Sequence, residues 1–131
     1  MDNFFNATKP YTDLAGRVLI AAIFVTAGWG KISGYAGTQA YMASAGVPGA
    51  LLPLVIALEL GGGIAIVLGL FTRPIALLLA GFSIVSALLF HATPDQQIML
   101  MKNFAMAGGF LFLVANGAGR YSLDALIRPR S

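Results

Sequence analysis

Six side chains of this sequence have types and positions that suit chemistry inside an otherwise apolar chain: Arg17, Lys31, Glu59, His91, Lys102 and Asn103. Glu59 is the sharpest of them. It lies near the middle of residues 50–70 (ALLPLVIALELGGGIAIVLGL), a 21-residue run that is apolar at nearly every position. A helix of that length is about 30 Å long, the thickness of a bilayer's hydrocarbon core. A lone carboxylate at that depth costs at least ~2.5 kcal/mol, so it calls for a partner or a role. A carboxylate, an ammonium, an imidazole and an amide can hydrogen-bond the carbonyls of an apolar head group and move protons to it. Quinone recognition uses that chemistry, with His or Lys as donor and Glu as proton acceptor. A path for protons or a small polar solute uses similar groups. Apart from Arg17, however, the other half of the chain's depth offers no polar continuation.

Composition places these residues in a membrane. Of 131 residues, 58% are hydrophobic and 10% charged, against about 25% charged in soluble domains. The length suits one domain, residues 1–131. Cysteine is absent and there is one histidine, so disulfide frameworks, thiol redox chemistry, zinc or iron–sulfur ligation and bis-histidine haem ligation are not expected. No flavin or dinucleotide motif and no phosphate loop stands in a strand–helix setting, and the GGG at 61–63 lies inside an apolar span. No catalytic triad is suggested, so unaided catalysis is not expected. The net charge of +3 forms no basic run or face and reads as a topology signal, not a nucleic-acid surface. No secretory signal is evident: the first 17 residues are not a short basic region followed by an apolar one.

Four spans are expected, at about 13–31, 50–70, 74–91 and 97–116. They make an all-α integral membrane four-helix up-down-up-down bundle, with a short interfacial helix between residues 37 and 45. Residues 1–11 read as an interfacial tail ended by Lys9–Pro10. Asp13 and Arg17, at i and i+4, suit a surface ion pair. Trp29 and Lys31 stand where interfacial anchors lie. The glycines at 61–63 permit close backbone approach, Pro74 suits the first position of the third span, and SLDALI suits a short amphipathic surface helix. Lys9, Arg17, Arg73, Arg120, Arg128 and Arg130 fall on one side against Lys31 and Lys102 on the other, which predicts both termini in the cytoplasm.

That topology gives each polar group a depth. Lys102 and Asn103 lie about 8 Å below the outer end of the fourth helix, and Glu59 about 13 Å below the outer end of the second. Lys102 is therefore within a side chain's reach of Glu59, and Arg17 reaches it only if both chains stretch. Bland readings stand beside each role. Glu59 with Lys102 or Arg17 is either a structural ion pair or a ligand and proton site. His91 is a solvated helix end or a donor, Asn103 a helix tie or a ligand contact, and Trp29 with Lys31 an anchor pair or a site mouth.

The same residues carry a resemblance. Arg17, FVTAGWGKISGY ending past Lys31, YMASAGVP, LELGGG with Glu59, LFTR, the FH at His91 and MKN at 101–103 occur in order over nearly the whole chain. This resembles the DoxX-like family of small four-helix inner-membrane proteins, YqjF-type members included. Family members are linked by name and context to quinone-coupled oxidoreductases and redox-stress complexes. The resemblance therefore implies a multi-pass inner-membrane subunit that handles quinone beside a redox enzyme partner, or as a homo-oligomer. On that reading Glu59 is the proton acceptor, with His91, Lys102 and Asn103 as hydrogen-bonding groups. Arg17 holds the charge of Glu59, and Lys31 with Trp29 forms the mouth. A non-catalytic assembly or scaffold subunit is the alternative, and a small transporter is a weaker one.

Overall fold

The computed structural model describes residues 2–127, so the basic residues Arg128 and Arg130 lie outside the described residues. The described chain is helical throughout its ordered elements. Four stretches are long and apolar enough to cross a membrane: Asp2–Ser33, Gly49–Leu68, Thr72–Phe90 and Pro94–Asn116. Large apolar side chains such as Leu19, Leu54, Leu77, Leu111 and Phe112 stay exposed. In water such patches drive aggregation; in a bilayer they are the lipid-facing surface.

Helix α1 (Asp2–Ser33) runs 32 residues and carries Pro10 in its interior. From Asp2 onward, the interfacial tail expected at residues 1–11 is instead the first turns of this helix. Proline removes one backbone donor but does not have to end a helix. Here the Thr8 hydroxyl donates to Phe4 O and Thr12 to Thr8 O, and Lys9 pairs with Asp13 at 2.6 Å. Helix α2 (Tyr35–Ser44) begins after Gly34. Gly46, at φ +81°, reverses the chain behind it.

The second span is not one regular helix. After a 3₁₀ turn (Gly49–Leu51) come α3 (Leu52–Ile56), a π-helical segment (Ala57–Gly61) and α4 (Gly62–Leu68). A π turn fits one residue more than an α turn, so it rotates the faces of α3 relative to those of α4. Glu59 sits inside that segment. Helix α4 closes at Gly69 (φ +71°), whose amide donates to Ile66 O while that of Leu70 donates to Ala65 O, the carbonyl-satisfying end that a left-handed glycine permits. Helices α5 (Thr72–Phe90) and α6 (Gln97–Asn116) come next, with a 3₁₀ turn (Pro94–Gln96) between them. Pro74 is the third residue of α5, not the first. A short helix, α7 (Leu123–Ile127), ends the described chain.

Helix α1 runs antiparallel to the second span, since Gly28 faces Leu60, Val25 faces Gly63 and Arg17 faces Ile66 and Val67. The contact is backbone-close: a Cβ at Gly28 would fall 2.8 Å from both Leu60 Cβ and Leu60 N. Gly28→Ala is therefore expected to cost about 1–3 kcal/mol through overpacking. Gly30→Ala, where nothing lies within 4 Å, is expected to be neutral or mildly stabilising, because alanine is the better helix former. Thermal unfolding of both variants in one detergent checks the contrast. The core between the helices is Ala21, Phe24, Ile66, Ala76, Leu79, Ala80, Ala107 and Phe110.

Candidate functional site

Two polar constellations stand on either side of that core. One is structural. Arg17 is fully buried, donating from Nη1 to Ile66 O and Val67 O, both at 3.0 Å, and from Nη2 to Tyr121 O. Ile66 and Val67 lie in the last turn of α4, where unpaired carbonyls and the negative end of the helix dipole favour a cation. Asp124 completes the knot: its carboxylate accepts from the amides of Phe71 and Thr72 at the start of α5, and its own amide donates to Gly69 O. The segment SLDALI forms the short surface helix expected there, and it also clasps the turn between α4 and α5. The expected Asp13–Arg17 ion pair is replaced by Lys9–Asp13, because backbone carbonyls already occupy the guanidinium. Arg17 is also not the partner of Glu59.

That partner is Lys31. Its ammonium lies 2.7 Å from Glu59 Oε1, with side-chain exposures of 27% and 6%. At that distance the pair is a charge-assisted contact, and buried Glu59 Oε1 has no further partner among the described residues. Two features bring the charges together. The π turn fixes the direction of Glu59, and the lysine's four-carbon stem folds its head inward. Sequence spacing favoured Lys102 for this role because the two residues share a depth, and read Lys31 as an anchor because it closes a helix.

Two cavities flank the pair. The first, about 320 Å³, lies beneath α2 and is walled by Tyr41, Met42, Leu51, Val55 and Leu89. The second, about 220 Å³, lies among α1, α5 and α6 and is walled by Phe24, Met99, Lys102, Asn103 and Met106. Lys31, Glu59, Phe82, Ser86 and His91 border both. The His91 Nδ1 and Gln96 Oε1 atoms are 2.9 Å apart, which in the neutral ring puts the proton on Nδ1 and leaves Nε2 free to accept. Tyr41 stacks on Phe90, with ring centroids 5.3 Å apart, and seats α2 over the first cavity.

The structure therefore brings together Lys31, Glu59 and His91 around both cavities, with Lys102 and Asn103 on the second. Trp29 is 65% exposed and borders neither. Sequence reasoning did not single out Phe82, the shared aromatic wall, or Ser86 beside it. An aromatic residue in the middle of an apolar helix carried no signal that singled out Phe82.

Four apolar helices long enough to cross a bilayer, around a buried ion pair and two half-open cavities, define a small integral membrane protein with a polar site. Residues 12–92 match the DoxX family, and the chain belongs to it. It is 52% identical over 120 residues to inner membrane protein YqjF of Escherichia coli (strain K12), covering 89% of this chain and 92% of that one. It is 38% identical over 130 residues to inner membrane protein YphA of the same organism, covering 92% and 93%. No solved structure matches it.

Proposed function

We propose that the protein is an inner-membrane subunit that binds a quinone-like or other small lipophilic molecule at the Lys31–Glu59 pair, in support of an oxidoreductase supplied by a partner. One observation carries this reading. A buried carboxylate whose one partner among the described residues is Lys31 lies on the wall shared by two cavities, the first of them largely apolar. Ligand sites of small molecules have that character: apolar walls with a few convergent polar groups. A quinone supplies redox chemistry when bound and takes up protons on reduction. Toward it, Lys31 and Lys102 offer N–H donors to carbonyl oxygens, His91 offers Nε2, and Glu59 holds or releases a proton. The electrons come from the partner, since the side chains here offer no redox-active centre.

The apolar core of Phe24, Ile66, Leu79 and Phe110 separates this site from Arg17, which favours binding over conduction. Among the described residues Lys9, Arg17, Arg73 and Arg120 stand on the Arg17 side and Lys31 and Lys102 on the site side, which supports termini facing the cytoplasm and a site in the outer half.

Calorimetric titration of the protein in lipid nanodiscs with naphthoquinone tests the reading. Saturable one-to-one binding is expected, with affinity lowered at least tenfold by Ser86→Phe, which fills the shared wall, at an unchanged unfolding temperature. Absence of saturable binding to the parent protein rejects it.

A further inference from the structure

The second cavity holds a charge imbalance that the ion pair does not use. The titratable groups facing it are Lys31 from α1, Glu59 from the π segment, His91 from the end of α5 and Lys102 from α6. Lys31 and Glu59 cancel one another at 2.7 Å, and His91 is engaged through Nδ1 with Gln96 Oε1. Lys102 is left over: among the described residues it makes no ion pair or hydrogen bond, and it is half-buried within an apolar span. Beside it, Asn103 is only 7% exposed, borders the cavity, and also has no hydrogen-bond partner among the described residues. A half-buried ammonium without an acceptor is costly. It calls for an oxygen bearing negative charge, and the Asn103 amide, which borders the same cavity, can donate to that oxygen too. An anion set between them receives a charge-assisted hydrogen bond from Lys102 and a second from the Asn103 amide. The walls of Phe24, Met99 and Met106 take an apolar body of matching size.

We infer that the second cavity is a site for a singly charged anionic head group on an apolar ring, a lipophilic weak acid such as an acidic phenol or enol. The cavity then carries no net charge when occupied, which a low-dielectric site requires. The ligand's charged oxygen lies toward Lys102 and Asn103 and its ring toward Phe24 and the two methionines. This rests on the binding reading above and names the ligand class within it.

The test compares two ligands of nearly equal size in nanodiscs by calorimetry: the hydroxynaphthoquinone lawsone, an enolate at neutral pH, and unsubstituted naphthoquinone, which carries no charge. The parent protein is expected to bind lawsone at least tenfold more tightly. Lys102→Met is expected to remove that preference, lowering lawsone affinity at least tenfold more than naphthoquinone affinity, and Lys102→Arg to retain it. Equal affinities in the parent protein overturn the anion site and leave the binding reading standing; binding of neither ligand rejects both. Should Lys102→Met fail to fold, the parent comparison and Lys102→Arg decide alone: a preference at least tenfold in both sustains the site, and anything less ends it.

Discussion

Arg17→Ala is expected to abolish accumulation of folded protein, the largest effect of any single substitution proposed for this chain. The alanine leaves Val67 O and Tyr121 O without the donor that serves them and Ile66 O with only the Gly69 amide, around a side chain that is fully buried in the parent protein. Each carbonyl so orphaned costs about 1–3 kcal/mol, and with the cavity left by the missing side chain the loss is a large fraction of the roughly 5–15 kcal/mol that holds a typical domain together. The loss also loosens the clasp, because Tyr121 leads into α7, and α7 carries Asp124 to the amides of Phe71 and Thr72. Arg17→Lys is expected to recover part of the yield: an ammonium keeps the charge at the end of α4 but lacks the planar fork that spans carbonyls from two segments. Size-exclusion profiles of detergent extracts, with unfolding temperatures where protein survives, check this. An alanine variant as monodisperse as the parent and within ~0.5 kcal/mol of its stability would show that lipid or water replaces the guanidinium.

The knot around Arg17 also shows which kind of fact the sequence carries. Helix α6 was legible to the residue, because Pro94–Asp95 opens it and Gly117, at φ +75°, closes it; both signals are local. The short helix expected between residues 37 and 45 is Tyr35–Ser44: its existence was legible from the Gly46 turn that ends it, but its start was placed two residues late. Pro10 misled in the other direction: it reads as a break, yet neighbouring hydroxyls and an i, i+4 ion pair carry α1 through it. The π segment left no periodicity to detect, only the glycines at 61–63 that make room for it. Partner choice was least legible of all. Depth arithmetic gave Glu59 two candidate cations, Lys102 and Arg17, and the selection of Lys31 instead comes from a phase shift in one helix plus the fold of a long side chain, neither of which has a one-dimensional signature. Arg17 obeys the same logic: a helix end with open carbonyls competes for a guanidinium better than a carboxylate across the core.

The Lys31–Glu59 pair yields the second large effect. Lys31→Met leaves a carboxylate buried at 4% exposure without its counter-charge, and Glu59→Gln leaves an ammonium turned inward without its own. Breaking one partner of a buried pair costs about 3–5 kcal/mol. The two costs are unequal here, because Lys31 is the more exposed partner and its head can swing outward to water on its flexible stem, whereas Glu59 is fixed within the π turn. Lys31→Met is therefore expected to be the more damaging single change, and the double variant to be more stable than it by at least ~2 kcal/mol, since neither charge then remains to be desolvated. Chemical unfolding of the four proteins in one detergent gives the coupling energy directly. A structural ion pair and a binding site part company at the double variant. If the pair only fixes helix packing, the double variant regains everything the single variants lose. If it holds a ligand's oxygens, the double variant folds yet binds naphthoquinone at least tenfold more weakly than the parent, because methionine donates no hydrogen bond to a carbonyl and a glutamine amide cannot take up a proton. Full stability with undiminished affinity would move the ligand away from this wall altogether.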